Sequence, residues 1–253
     1  MDETIAQADT LDIVFFKGDA TISCLISCTE KFNKPCLPKD QIIFSHVGMV
    51  VKGKDVLVDH PKMKALLEKN NATIDEKETY IFEAQMAETE SEIGQMVFKK
   101  EAVKATMTGE TKIWRVLFRD FKGVVTDYDK TSAGTLHHLG RIANNPFRAG
   151  AVSEKELLDY RMKITESIVA YEDLNYDHQD YGCTMMAINI PCCRPIRWCI
   201  TCIYFGGDSE KAVVCTELNA MILRDLGIIP KNTNTANVSP MDFLGYEMDC
   251  YWS

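Results

Sequence analysis

Cys215 stands where a short apolar segment, Val213-Val214-Cys215, leads into an amphipathic helix. A sulfur at that point lies near the first turn of the helix. Backbone N–H groups without helical partners and the positive end of the dipole favour the thiolate there, which is the nucleophilic form. The same N–H groups can bind the oxyanion of a tetrahedral intermediate. Cysteine is also a good small core residue, so Cys215 alone predicts either packing or nucleophilic chemistry.

A thiolate nucleophile needs a proton carrier, which is usually a histidine. Of the five histidines in the chain, His46 is the one inside an apolar stretch, Phe44-Ser45-His46-Val47-Gly48-Met49-Val50. A ring in such a strand is either held in the core or directed into a cleft beside the sheet. The residues alone leave both possibilities open.

The elements that must position these two side chains follow from the hydrophobic pattern. Helices are predicted at 62–70 and 90–105, from Ser153, and from Cys215 to a stop at Gly227. Ser153 and Glu156 match a capping box. Segment 121–150, rich in Gly, Asn, Asp and Thr, is predicted to be an irregular insertion, long enough for a lid or binding loop. Strands are predicted at 11–16, 42–51, 55–59, 80–84, 113–118, 185–190 and 198–205.

Length and charge limit the classes of protein that fit. The chain has 253 residues and a formal net charge of −9, with 46% apolar and 26% charged residues. This predicts one large globular domain, and the scattered basic residues disfavour nucleic acid and anionic membranes as partners. The N-terminus does not resemble a signal peptide, and no apolar run reaches the roughly 18 residues of a membrane span. We therefore expect a cytoplasmic protein without a transmembrane segment.

Ten cysteines are many for a chain of this length. Without a secretion signal they are better interpreted as reduced core residues than as a disulfide framework. Cys199 and Cys202 form a C-x2-C pair, and with Cys192 and Cys193 they raise the alternative of structural zinc. However, a strand at 198–205 would direct Cys199 and Cys202 to opposite faces, so buried thiols are favoured. We predict no metal and no cofactor.

Taken together, the histidine and cysteine segments resemble a known family. The segment 44–50 resembles the "SHVGI" strand of the circularly permuted papain-like branch of the NlpC superfamily. Val214-Cys215-Thr216-Glu217-Leu218, followed by Leu226-Gly227-Ile228, resembles the nucleophile helix of that branch. This branch includes bacterial permuted hydrolases, poxvirus relatives and lecithin:retinol acyltransferase-like enzymes, in which histidine precedes cysteine along the chain. Weaker matches fall in the expected order at 16–19, 80–84, 175–177 and 239–243.

The resemblance implies an α+β, permuted papain-like fold for residues 1–253. An antiparallel sheet of about five or six strands, bearing His46 and Glu83, would pack against the nucleophile helix. Glu83 is implied as the residue that orients the histidine ring, and His60 is the alternative for that role. Relative to the family, insertions are expected near 52–79 and 121–150.

The function implied is that of a thiol hydrolase, a cysteine peptidase or amidase that cleaves an amide or peptide bond through a thioester on Cys215, with His46 as base and Glu83 as orienter. One alternative is an acyltransferase or lipid-directed hydrolase on the same Cys/His site, so a peptide and an acyl-amide or lipid both remain candidate substrates. Another is a catalytically silent structural or binding protein on the same scaffold. The poxvirus likeness makes a large DNA virus a candidate source and the virion a candidate location. The oligomeric state is left open.

Overall fold

The computed structural model describes residues 7–17, 44–87, 95–98, 103–104, 111–131, 137–142, 144–148, 150–176, 212–235, 238 and 240–244. Within these ranges the protein is α+β, as predicted, and is built around one twisted sheet. The predicted strands at 185–190 and 198–205, and the four cysteines considered for zinc, lie outside the described residues. None of the described helices is long and apolar enough to cross a membrane.

Five strands form a continuous antiparallel sheet in the order β6-β1-β2-β3-β5. Three two-residue strands extend it: β4 and β7 pair antiparallel with β5, and β8 pairs parallel with β7. The prediction of an antiparallel sheet is therefore correct for the five longer strands and wrong for the β7–β8 pair. The bounds are β1 Ile13–Phe16, β2 His46–Lys52, β3 Thr79–Ala87, β4 Val103–Lys104, β5 Thr111–Asp120, β6 His137–Gly140, β7 Asn175–Tyr176 and β8 Ala212–Val213.

Four α-helices lie among the described residues: α1 Pro61–Asn70, α2 Phe121–Thr131, α3 Glu154–Tyr171 and α4 Cys215–Asp225. The predictions of α1, α3 and α4 are confirmed. The chain turns after α4 at Gly227, whose positive φ of 71° a glycine adopts without strain. Short 3-10 turns occur at Gly53–Asp55 and Pro240–Leu244.

The alternation of side chains along the strands creates two apolar layers, one on each face of the sheet. The larger layer packs α3 and α4 against one face, and α4 contacts β2 and β3 directly. The smaller layer packs α2 against the other face and contains Ala8, Val14, Phe16, Val50, Ile81, Phe121, Val124 and Val125. In β2, residues Val47, Met49 and Val51 belong to the larger layer.

The prediction of an irregular insertion at 121–150 is wrong. Its first part is helix α2, and its later part includes β6, which pairs with β1 along four residues. The Asp120 carboxylate accepts a hydrogen bond from the Gly123 N–H at 2.7 Å, which satisfies a donor of the first helical turn. Because Phe121, Val124 and Val125 recur at helical spacing and are buried, this segment completes the core rather than covering a cleft.

Two other predicted elements are also wrong. Residues 55–59 do not form a strand, because the chain turns after β2 and the Leu57 N–H donates to Thr165 Oγ1 of α3 at 2.9 Å. The described parts of segment 90–105, residues 95–98 and 103–104, form a turn, bends and short β-pairings and are not helical. Met96 forms a bridge with Arg119, and β4 pairs with β5. Backbone pairing with β5 outweighs helix propensity there.

The predicted capping box at the beginning of α3 is confirmed. Ser153 Oγ accepts from the Glu156 N–H at 3.4 Å, and Glu156 accepts from the Ser153 N–H at 2.9 Å. We expect Ser153→Ala to lower the free energy of unfolding by about 1 kcal/mol, because the first turn loses an acceptor. Chemical denaturation measures this change. Ser153→Asp, which retains an acceptor, is the matched control, and an equal loss in both variants would contradict the capping role.

Candidate active site

The site is built first from Cys215, the first residue of α4. Val214 precedes it in an extended conformation and makes no side-chain cap, because valine has no hydrogen-bond acceptor in its side chain. The N–H groups of the first turn therefore have no N-cap oxygen to bind. Cys215 is only 3% exposed and belongs to the larger apolar layer. The sequence correctly places this sulfur at the beginning of a helix.

His46 is the first residue of β2, and its side chain is 14% exposed. The imidazole stacks on Phe16 of β1 with ring centroids 5.7 Å apart. Cys215 acts on this ring, because its charge and a side-chain hydrogen bond to it are among the causes that raise the pKa of His46. The two side chains thus meet where α4 and β2 both begin.

Glu83 of β3 supports the other side of the ring. Its Oε2 lies 2.6 Å from Nε2 of His46, and the carboxylate is completely buried. Because Nε2 is engaged by Glu83, Nδ1 is the ring nitrogen left for the sulfur. Sequence reasoning named all three residues, and the structure brings them into one connected group.

Arg119 of β5 is a member of this group that sequence reasoning missed. Its side chain is 1% exposed, and its Nε donates to Glu83 Oε1 at 2.9 Å. Nη2 of Arg119 also donates to Glu83 Oε1, and it donates to Gln85 Oε1 at 3.0 Å. A cation directly after the apolar run Val116-Leu117-Phe118 was the available signal, because a buried carboxylate requires a partner charge.

The pKa of His46 reflects its neighbours. Burial by itself would lower this pKa, since it disfavours the charged ring. The negative charge of Cys215, the hydrogen bond to Cys215, and the contact with Glu83 outweigh burial and raise the pKa from 6.5 to about 9. His46 therefore carries a proton on both ring nitrogens at neutral pH.

The pKa of Glu83 moves in the opposite direction. Burial would raise it, but the charge of Arg119, followed by the hydrogen bond and charge of His46, lowers it from 4.5 to about 2. Glu83 is therefore ionised at neutral pH. A permanently negative acceptor on Nε2 stabilises the imidazolium and fixes the orientation of the ring.

Gly48 provides the space in which Glu83 meets His46. It lies two residues after His46, on the same face of β2. A Cβ at this position would stand 2.5 Å from Cδ1 of Ile81 and 3.3 Å from Cβ of Glu83. Contacts below about 3 Å cannot persist, so any larger residue displaces β3 or its side chains.

We therefore expect Gly48→Ala to slow the alkylation of Cys215 by a small reagent several-fold, because Glu83 is pushed away from the ring. Mass spectrometry of the alkylated peptide measures the rate. In the compensating variant Gly48→Ala/Ile81→Val, the closest clashing atom is removed and part of the rate should return. A wild-type rate in Gly48→Ala would show that Glu83 tolerates the extra methyl group.

His60, the alternative orienting residue, lies elsewhere. It precedes α1 as the N-cap residue, and its Nε2 is 3.8 Å from Glu166 Oε1 of α3. The carboxylate contact with His46 is made by Glu83. Among the residues that the structure describes, no group of three or more histidine, cysteine or acidic side chains has a geometry suited to a metal ion.

No protein-family model matches the chain, and neither a curated protein nor a solved structure matches it. The likeness to permuted papain-like hydrolases therefore remains a prediction from the sequence motifs. The local chemistry can be stated without it. A cysteine at a helix N-terminus, a histidine and a buried carboxylate lie next to one another in that order, and such an arrangement can supply a nucleophile, its base and an orienting group.

Proposed function

We propose that this protein is a cysteine hydrolase that cleaves an amide or peptide bond through a thioester on Cys215. The observation that carries the proposal is the position of the His46 ring between the Cys215 sulfur and the Glu83 carboxylate. Structural ion pairs also occur in cores, but they seldom join a cysteine at a helix N-terminus to an oriented histidine. The sequence likeness to permuted papain-like enzymes supports the same reaction class.

In the first half of the proposed reaction, the Cys215 sulfur attacks the carbonyl carbon of the substrate. The carbonyl π-electron pair moves to oxygen, and N–H groups of the first turn of α4 would stabilise that oxyanion. When the tetrahedral intermediate collapses, the C–N bond breaks and the imidazolium of His46 donates its proton to the leaving amine. The products of this half are a thioester on Cys215 and a neutral His46.

In the second half, neutral His46 accepts a proton from water as the water oxygen attacks the thioester carbonyl. The C–S bond then breaks, which releases a carboxylic acid and restores the thiolate beside the imidazolium. Glu83 accepts from Nε2 throughout and is not itself protonated. An amine is a poor leaving group unless it is protonated, so a histidine that is charged at neutral pH suits amide substrates.

The proposal is tested with an activated ester, p-nitrophenyl acetate, which acylates a reactive thiolate without a specific recognition sequence. We expect rapid acetylation of Cys215, detected by intact mass and peptide mapping, followed by slow loss of the acetyl group. Hydroxylamine should release it at once, as it does from a thioester. Cys215→Ala should abolish this adduct.

The outcome distinguishes an enzyme from a silent scaffold. The unfolded protein supplies the baseline rate for each of the ten cysteines. If Cys215 in the folded protein acetylates no faster than in the unfolded chain, or if the adduct never hydrolyses, the hydrolase proposal is wrong.

A further inference from the structure

The two carboxylate oxygens of Glu83 bind different residues. Its Oε2 faces Nε2 of His46 at 2.6 Å, whereas its Oε1 accepts both Nε, at 2.9 Å, and Nη2 of Arg119. The two oxygens therefore serve different partners on the two neighbouring strands, β2 and β5. Gln85, two residues further along β3, accepts from the same Nη2 at 3.0 Å and helps to fix the guanidinium.

We propose that Arg119 is a positioning residue of the Cys215–His46 pair, which acts through Glu83 by holding that carboxylate ionised and aimed at the imidazole. This inference rests on the proposed function and extends it by one residue. Glu83 and Arg119 are buried between β2, β3 and β5, and Gln85 is partly buried beside them. Arg119 contacts Glu83 and Glu83 contacts His46, so we assign the effect of Arg119 on the pair to Glu83.

The geometry favours arginine specifically at this position. A planar guanidinium presents its Nε and Nη donors in a fixed fork, so two N–H groups converge on one carboxylate oxygen and prevent its rotation. A lysine ammonium would supply the same charge as a single point without fixing the plane of the carboxylate. The orientation of Oε2 toward His46 follows from this fixed plane.

The electrostatic environment of Glu83 is set mainly by burial and by Arg119. After burial, the causes that act on its pKa are the charge of Arg119 from β5 and the hydrogen bond and charge of His46 from β2. Those that act on His46 are Cys215 from α4 and Glu83 from β3. Helix α2, which packs against this face of the sheet, contributes apolar side chains: Phe121, Val124 and Val125.

The test replaces Arg119 with glutamine, which donates a hydrogen bond but carries no charge, and with lysine, which retains the charge. In Arg119→Gln, burial of Glu83 is no longer offset by the guanidinium, so we expect its titration to move up by about 1 to 3 pH units. The carboxyl ¹³C resonance of Glu83 reports this directly and requires no turnover. The pH profile of Cys215 alkylation should then gain an acid limb, in which the rate falls as pH drops through the pH where Glu83 titrates.

Arg119→Lys is expected to keep the Glu83 titration within about one pH unit of the wild type, because the charge remains. A purely structural arginine would predict a loss of stability without movement of either titration. The inference is overturned if the Glu83 titration does not move in a folded Arg119→Gln variant. It is also overturned if the acid limb of Cys215 alkylation moves to equally high pH in Arg119→Lys.

Two further measurements keep the test decisive. If Arg119→Gln does not fold, Glu83→Gln/Arg119→Met replaces the buried ion pair with neutral groups and should recover folding. Cys215 alkylation in that variant should remain slow, and a wild-type rate would overturn the inference. Acetylation of Cys215 by the activated ester is scored separately, so a failure of the hydrolase proposal leaves the Glu83 titration as an independent result.

Discussion

Replacing His46 with alanine is expected to slow the alkylation of Cys215 at pH 7 by about tenfold or more. An ordinary cysteine, with a pKa near 8.5, is only about 3% thiolate at pH 7, so a fully formed ion pair accelerates alkylation by up to roughly thirtyfold. In the proposed site, His46 supplies the positive charge and the hydrogen-bond donor that would activate the sulfur. Without the ring, that acceleration is lost.

Iodoacetamide is suited to this measurement because Cys215 is only 3% exposed and a small reagent is needed. Peptide mass spectrometry separates Cys215 from the other nine cysteines. The matched control is His138→Ala, which removes an exposed imidazole from β6 of the same sheet. An unchanged rate in His46→Ala, or an equal decrease in His138→Ala, would exclude a specific pair between His46 and Cys215.

Glu83→Gln is expected to move the titration of the His46 imidazole to lower pH and to destabilise the fold. That titration is the loss of the imidazolium proton, at about pH 9 in the wild type. A neutral amide gives that proton less support, so the pKa of His46 falls. Arg119 is left buried without its counter-charge, which costs about 3 to 5 kcal/mol.

The pH dependence of stability follows from the same shifts. His46 has a raised pKa in the folded state, so its contribution is complete below pH 6.5 and is lost as pH rises through about 9. Glu83 has a lowered pKa, so its contribution is complete above pH 4.5 and is lost as pH falls through about 2. Both contributions are therefore largest between pH 4.5 and 6.5. Because they share one contact, they are not additive.

Denaturation of the wild type and Glu83→Gln from pH 4 to 10 measures this effect. Glu166→Gln is the matched control, since Glu166 is half-exposed on α3 beside His60 and away from the His46 ring. The stability difference between wild type and Glu83→Gln should shrink as pH rises toward 10. A difference that does not change with pH would mean that the His46–Glu83 contact contributes nothing to the linkage.

Much of the site could be predicted from the sequence because its signals are local. The Val213-Val214-Cys215 transition and the Gly227 stop define α4, and the apolar residues around His46 define β2. Placing Glu83 beside His46 depended on the likeness to a family. The register of β2 with β3 then sets Gly48 opposite Glu83, which leaves room for the contact.

Arg119 was missed because its role depends on pairing between strands that are distant in the chain. β3 and β5 must align so that Arg119 pairs with Ile81 and reaches diagonally to Glu83. The helix at 121–131 was missed for a different reason. Its many Asp, Thr and Gly residues have low helix propensity, and burial of Phe121, Val124 and Val125 outweighs that local preference.

The most direct measurement of the central claim is an NMR titration of the His46 imidazole, assigned with a His46→Gln variant. In the wild type we expect the ring to titrate near pH 9, and in Cys215→Ala to titrate clearly lower, because the charge of Cys215 and its hydrogen bond no longer raise the pKa of His46. Titration near 6.5 in the wild type, or at one pH in both proteins, would contradict a charged pair between Cys215 and His46.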